Sequence, residues 1–377
     1  MSDTMNPITL EILNWDYLFA GIEDQKDIEE EEKGEIINNW KQLRANLGED
    51  WLKNEKNDDH PIRLYLFNRA PWSIRWVSEL GLGISSLKNK ENFNDVFKRL
   101  LSVREFRGAY YELRVALSLL KLGVSFEFLN PSDKKTPDIK IISDTRPMFI
   151  EITKKNVPEE YTCRSKNYNR ILNFLFSKTS EKNLDFYCDI QRLLSTPRSE
   201  KIMKESEKLV ELAKVSGLEH YHDDEIDIYI FKKENRSLVP KEKQVIQGRM
   251  PNCDEIYRIR TTLKQKVTQL EHYSPGVLLI FSDLFWPSED IELLYKNLVD
   301  VLVVTVEEYP KLSALVVYIE TYNAFDDDDA FMRTGKNYIS IKGYDKNLLR
   351  SRNKVIIFNE FADCPLLQNE IGILKSI

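Results

Sequence analysis

Between residues 104 and 153 the apolar positions change from a helical period to a strand period, and this change constrains the fold more than any other feature of the chain. Ala109, Leu113, Ala116, Leu117 and Leu120 make one stripe of a helix over residues 104–122, which Gly123 ends. Three short strands are expected next, at residues 124–129, 138–142 and 148–153, with a turn at Asn130-Pro131-Ser132-Asp133. The pattern resumes with a helix over residues 254–272 and a strand over residues 276–281. Helices alternating with strands in this way predict an α/β fold.

Three carboxylates in this block stand where burial is expected. Glu112 lies within the apolar stripe, one turn before Ala116, and side chains three and four residues apart share a helix face. Glu151 interrupts the run Met148-Phe149-Ile150-Glu151-Ile152, and Asp138 opens the preceding strand after Pro137. An isolated buried carboxylate is costly and takes up a proton to escape the penalty. One divalent cation relieves all three, and Mg2+ favours one or two carboxylates completed by water and phosphate oxygens. Each residue also has an ordinary structural reading: a helix glutamate paired with Arg or Lys, a strand glutamate facing solvent at an edge. Their joint occurrence in one helix-strand-strand-strand unit points to a site.

The 377 residues leave room for two domains. Residues 1–102 read as mostly helical. Ile37, Trp40, Leu43, Leu47 and Trp51 form an amphipathic helix over residues 34–52, and Gly81-Leu82-Gly83 reads as a turn. Residues 103–377 read as one α/β domain with a helical insertion at about 155–252, interrupted by strands at residues 184–190 and 226–231. A helix near residues 291–302 and strands near 314–319 and 354–358 follow.

With 42% hydrophobic and 31% charged residues, the chain has the composition of a folded protein and not of a disordered one. No apolar run approaches the roughly 20 residues that cross a bilayer, and no signal peptide is evident at the N-terminus. No membrane partner is expected. The cysteines Cys163, Cys188, Cys253 and Cys364 lie far apart, which argues against a disulfide framework or zinc cage and suits a reducing cytoplasm. A net charge of −7 stands at first sight against a nucleic-acid partner. Residues 23–35 alone carry eight acidic and two basic side chains, however, so the remainder is close to neutral, and residues 241–272 are locally basic. The acidic run reads as a solvated face or a flexible connection.

The string Pro137-Asp138 and then Glu151-Ile152-Thr153, preceded by a helix bearing Glu112, resembles the PD-(D/E)XK nuclease superfamily, the restriction-endonuclease-like fold. The resemblance covers residues 103–155 and 254–281. It implies a core of helix, three strands, helix and strand around a mixed sheet. It also implies an enzyme that hydrolyses DNA or RNA phosphodiester bonds with Mg2+ or Mn2+, with DNA the more expected substrate and bacterial defence or restriction the expected role. Glu112, Asp138 and Glu151 would be metal ligands, joined by the carbonyl of Ile152, with Asp138 and Glu151 catalytic.

The family pattern places a lysine two residues after the glutamate, where this chain has Thr153. Lys154 is adjacent but points to the other strand face, and Lys155 has the right parity but lies further on. Lys266 falls within the stripe Ile256, Ile259, Leu263, Val267 and Leu270 of the second helix, where some families of this fold carry the lysine. Lys266 and Lys154 are therefore the candidate catalytic lysines. A lysine snorkelling from the stripe's margin is the ordinary alternative for Lys266.

Arg164, Lys166, Arg170, Arg249, Arg258, Lys264 and Gln265 are the candidates for holding a nucleic-acid backbone. For Gln265 and Gln269 an ordinary solvent-facing position is the alternative. Many such nucleases are dimers, so a homodimer, or a protein partner through the N-terminal region, stays open. A reading from another class is a catalytically inactive protein of this fold that binds nucleic acid or protein. Thr153, the acidic N-terminal stretch and an aromatic surface near Trp72 and Trp76 suit it, and it requires Lys266 to lie far from the carboxylates. His220 and His222 would share a face of an extended segment and could bind a transition metal, although no further His or Cys lies near them in sequence. Residues 326–329 read as a solvated acidic turn.

Overall fold

The computed structural model describes residues 14–130, 136–155, 159–192, 194–248, 255–282, 291–322, 331–345 and 350–377. The acidic turn at 326–329 and Arg249 lie outside these residues. The described chain opens with helices α1 (Trp15–Glu23), α2 (Glu30–Leu47), α3 (Pro61–Phe67), α4 (Pro71–Leu87), α5 (Phe93–Leu100) and α6 (Phe106–Lys121). Strands β1 (Phe126–Phe128), β2 (Ile139–Ile141) and β3 (Met148–Lys154) follow. Next come α7 (Glu159–Glu181), β4 (Leu184–Ile190), α8 (Thr196–Ser216), β5 (Leu218–His222), β6 (Ile226–Lys232) and β7 (Ile246–Gly248). The chain continues with α9 (Glu255–Lys266), β8 (Gly276–Ser282), α10 (Ile291–Glu307) and β9 (Leu312–Tyr322). It closes with β10 (Phe331–Thr334), β11 (Tyr338–Asp345), β12 (Arg350–Phe358) and α11 (Gln368–Ser376).

Two compact units result: residues up to Lys155 together with Glu255–Ile377, and Asn156–Asp254. The first is built on a mixed sheet of order β1-β2-β3-β8-β9-β12-β11-β10. Strands β1, β2 and β3 pair antiparallel, β3 pairs parallel with β8 and β8 parallel with β9, and the remaining pairs are antiparallel. Every residue of β8 is buried, as a central parallel strand covered on both faces requires. Val277, Leu279 and Phe281 enter one core, and Leu278 and Ile280 the other. The second core is completed by Ile259 and Leu263 of α9 and Leu298 and Leu302 of α10.

The N-terminal helices have no core of their own. Trp15, Trp40 and Trp76 belong to the same buried cluster as Ala109 of α6, Ile150 of β3 and Val316 of β9. Trp76 is 2% exposed and stacks on Tyr65 at 4.1 Å, so it belongs to the interior and not to an aromatic surface. Part of the acidic run is the first turn of α2, where Glu32 forms a forked pair with Arg75 of α4 at 2.6 and 2.8 Å. At the other end of the chain, the Lys354 amine donates to the carbonyls of Leu374 (3.0 Å), Lys375 and Ile377 (2.7 Å), which caps the end of α11.

Gly81 and Gly83 lie inside α4 and not in a turn. They are there because α4 passes between two helices. A Cβ at Gly81 would stand 2.2 Å from the carbonyl oxygen of Asn39 on α2, and one at Gly83 would stand 2.6 Å from Leu113 Cδ2 on α6. Glycine in a helix normally loses about 0.5–1 kcal/mol relative to alanine, but here close packing reverses the sign at Gly81. Gly81→Ala is expected to destabilise the unit by about 1–3 kcal/mol, the range for overpacking against atoms that cannot yield. Gly83→Ala should have less effect because the Leu113 side chain can rotate. Chemical denaturation midpoints of the two variants check the order.

The second unit is α/β and not a helical insertion. Its sheet has the order β5-β6-β4-β7, with β4 and β7 parallel. Helices α7 and α8 cover one face, where Ile171, Leu175, Ile202 and Val210 meet Phe186, Cys188, Ile228 and Ile230. A smaller cluster of Tyr187, Phe231 and Val239 forms on the other face. Among the described residues no helix is long and apolar enough to cross a membrane.

Candidate functional site

Strand β3 occupies the place where the sheet changes direction, antiparallel to β2 on one side and parallel to β8 on the other. Met148, Ile150 and Ile152 enter the α6 core and Phe149 packs on the α9 side, so Glu151 and Thr153 share the α9 face and Lys154 points the other way. Glu151 is only 1% exposed. The Lys266 amine, in the last turn of α9, lies 3.0 Å from Glu151 Oε1, a contact between residues 115 positions apart. The same amine donates to Gln269 Oε1 at 2.9 Å, and Gln269 Nε2 reaches the Thr136 carbonyl at 3.5 Å. One lysine thus links the strand, the second helix and the segment leading to Asp138. The second oxygen of Glu151, Oε2, is buried and has no hydrogen-bond partner among the described residues.

Asp138 lies one residue before β2 and is held by β3. Its amide donates to the Ile150 carbonyl at 3.0 Å, and its Oδ2 accepts the Ile152 amide at 2.7 Å. The amides of Phe149 and Lys155 donate toward β8, to the carbonyls of Pro275 and Phe281. A strand residue's amide and carbonyl point the same way, so both groups of Ile152 face the β2 edge. Pro137 has no N–H to offer there. The Asp138 side chain takes up the Ile152 amide where the β2–β3 ladder forks.

Glu112, 3% exposed on α6, is gripped through both oxygens by Arg99 of α5, with Nη2 2.6 Å from Oε2 and Nη1 paired with Oε1. Burial opposes the charge on Arg99, but the hydrogen bond to Glu112 and the charges of Glu112 and Asp138 hold its proton more firmly than usual. Burial, followed by the charges of Glu112 and Glu151, pushes the Asp138 carboxyl well above the ordinary aspartate range, against the pull of the Ile152 amide and Arg99. Burial raises Glu151 to about 7 in spite of the charge and hydrogen bond of Lys266, and the charge of Glu112 adds to the rise. Both carboxyls therefore hold their protons to higher pH than free ones do.

The carboxylates fit a hard divalent ion in donor type, and the orphaned Glu151 Oε2 would offer such an ion an open lone pair. They are not already gathered into a ligand set. Among the described residues, the one trio of His, Cys, Asp or Glu with ligand atoms all within 4.8 Å is His220, His222 and Asp227 in the second unit. Thr153 is buried, and Lys155, which shares its strand parity, is 1% exposed. Arg99 had no sequence signal, because its pairing with Glu112 depends on how α5 packs against α6.

The basic candidates separate. Arg258, Lys264 and Gln265 lie on α9, with Lys264 and Gln265 exposed. Arg164, Lys166 and Arg170 lie on α7 of the second unit, where Lys166 and Arg170 are exposed and Arg170 stands 3.4 Å from Glu200. Gln269 is half-buried and hydrogen-bonded into the centre, whereas Gln265 faces solvent. Comparison of the chain with protein-family models, with curated proteins and with solved structures finds no match, and the functional reading therefore rests on this geometry.

Proposed function

We propose that the chain is a metal-dependent nuclease that hydrolyses phosphodiester bonds of DNA or RNA. The observation that carries this reading is the Lys266 amine 3.0 Å from Glu151. It puts a lysine beside the glutamate in a chain that has Thr153 at the position where the PD-(D/E)XK pattern has its lysine. The order α6, β1, β2, β3, α9, β8, with β3 parallel to β8, further supports a restriction-endonuclease-like core.

Glu112, Asp138, Glu151 and the Ile152 carbonyl would hold Mg2+ or Mn2+, which when bound lowers the pKa of water and stabilises charge on the phosphodiester. Asp138 is oriented by the Ile152 amide, and Glu151 by Lys266. Lys266 uses two of its three N–H groups on Glu151 and Gln269, which leaves one for an attacking water or a phosphate oxygen. Exposed Lys264 on the same helix is suited to a phosphate contact that carries affinity without sequence preference.

Cleavage of single- and double-stranded DNA and RNA in Mg2+, Mn2+ or EDTA tests the reading and selects the substrate. Lys266→Met is expected to lower metal-dependent cleavage by about 10²–10³-fold, the effect of removing one positioned donor from developing charge. Lys154→Met, on the opposite strand face, should change it by about threefold or less, a barrier difference well under 1 kcal/mol. Equal losses in the two variants would overturn the lysine assignment.

The Arg99 grip on Glu112 favours a second reading, although Lys266 stands beside Glu151 and not far from the carboxylates as that reading requires. A guanidinium already neutralises one of the three carboxylates, as it would in an inactive protein of this fold that only binds nucleic acid or protein. Nucleic-acid binding that persists in EDTA, with no cleavage in either metal, would select that reading.

A further inference from the structure

The Asn156–Asp254 unit carries a second cluster with ligand chemistry, independent of the carboxylate centre. Strands β5 and β6 form an antiparallel ribbon with His220 opposite Tyr229 and His222 opposite Asp227. Directly opposed residues share a face, so both imidazoles and the Asp227 carboxylate project from the same side. Asp227 is 3% exposed, unusual for an aspartate on a two-helix, four-stranded unit of this size. His220 Nε2 stands 2.6 Å from Asp227 Oδ1, and His222 Nδ1 stands 3.6 Å from Oδ2. The His220 ring stacks on Tyr229 at 4.0 Å and 11°.

The turn joining the two strands is held by side-chain hydrogen bonds and ion pairs. Asp223 Oδ1 accepts the amides of Glu225 and Ile226 at 2.8 and 3.1 Å, and Arg198 of α8 holds Glu225 at 2.5 Å and also pairs with Asp223. The ribbon therefore presents its two histidines and one carboxylate on a prepared frame.

We propose that His220, His222 and Asp227 form a transition-metal site of the Zn2+ class. Two imidazole nitrogens and a carboxylate suit Zn2+, Co2+ or Ni2+ and not Mg2+, which requires an all-oxygen shell. A tetrahedral ion with bonds of about 2.1 Å sets its ligand atoms roughly 3.4 Å apart, and the three here lie within 4.8 Å of one another. Small rotations about the side-chain bonds close the set. Both imidazoles are open to solvent, at 41% and 55% side-chain exposure, so an ion has an entry path and a free coordination position. Lys243 is the competitor: its amine holds Asp227 Oδ2 at 2.7 Å and must swing away when the ion binds. β5 is an edge strand of its sheet, so the ion would clip that edge to β6.

The test is titration of the full chain with Co2+ and Zn2+, read by the visible absorption of bound Co2+ and by calorimetry. The wild-type protein is expected to bind one equivalent of Co2+ with the absorption of a four-coordinate ion, displaced by Zn2+. His222→Ala, at an exposed position, should weaken that binding at least about tenfold. Lys243→Met should tighten it, and Glu151→Gln should leave it unchanged, which separates this site from the carboxylate centre. Equal Zn2+ affinity in the wild type and His222→Ala overturns the proposal. So does saturable binding that appears only in Lys243→Met, because the native ammonium would then exclude the metal.

Discussion

Glu151→Gln is expected to reduce metal-dependent cleavage by about 10³-fold or more, and Asp138→Asn to do the same, while both variants fold. The size follows from what a carboxylate contributes to holding a divalent ion, several kcal/mol, where each 1.36 kcal/mol is a factor of ten. Glutamine and asparagine keep the shape of the side chains they replace. The new glutamine can still accept from Lys266, and the new asparagine can still accept the Ile152 amide through its oxygen, so the hydrogen bonds at 3.0 and 2.7 Å survive. The loss is of charge and not of packing. Steady-state cleavage with Mg2+ and Mn2+, beside circular dichroism of each variant, checks both halves. Full activity in either variant would remove that residue from the site.

In EDTA the same substitutions are expected to stabilise the protein, and to do so only above acidic pH. Glu151 titrates near 7 in the folded chain, above the ordinary 4.5, because burial disfavours its ionised form. Between these values the folded state binds more protons than the unfolded state. The sign follows: the stability linked to Glu151 is fully present below pH 4.5, falls as pH rises through 7, and is level above it. A shift of this size amounts to about 3 kcal/mol, and the raised Asp138 adds in the same direction. Metal-free Glu151→Gln should therefore melt above the wild type at about pH 8 and level with it near pH 4.5. A Lys266–Glu151 pair kept only for stability would give the opposite result, with the glutamine variant melting lower at the alkaline pH. Melting curves in EDTA at the two pH values separate a carboxylate held at a cost from one that serves the fold.

Several parts of this molecule are legible from local sequence because they depend on residues within one or two turns of each other. The stripe Ala109, Leu113, Ala116 gives α6 its buried face, and the run at Met148 gives β3, within a residue of its observed ends. The same periodicity puts Glu112 and Glu151 among apolar neighbours, and both are buried. It also places Lys266 beside Ile259, Leu263 and Leu270, on the face of α9 that meets the sheet. The α/β class follows from the alternation of these segments.

The tertiary structure decided the partners. A buried position does not specify what lies across from it, since that depends on register and packing between segments far apart in sequence. Nothing local pairs Arg99 with Glu112, or carries Lys266 across 115 residues to Glu151. Gly81 reads as a turn until α2 and α6 are packed on either side of α4. Strands β10 and β11 are absent from the sequence reading because β10 is four residues long and β11 alternates only over Ile339-Ser340-Ile341-Lys342; β11 takes its place by pairing with β12, and β10 by pairing with β11. The two histidines of β5 lack a third ligand in their own segment, and Asp227 reaches them only through the antiparallel register of β6. Sequence sets which side chains are buried and on which face. Which of them meet is a long-range property, settled when the sheet and its helices close on one another.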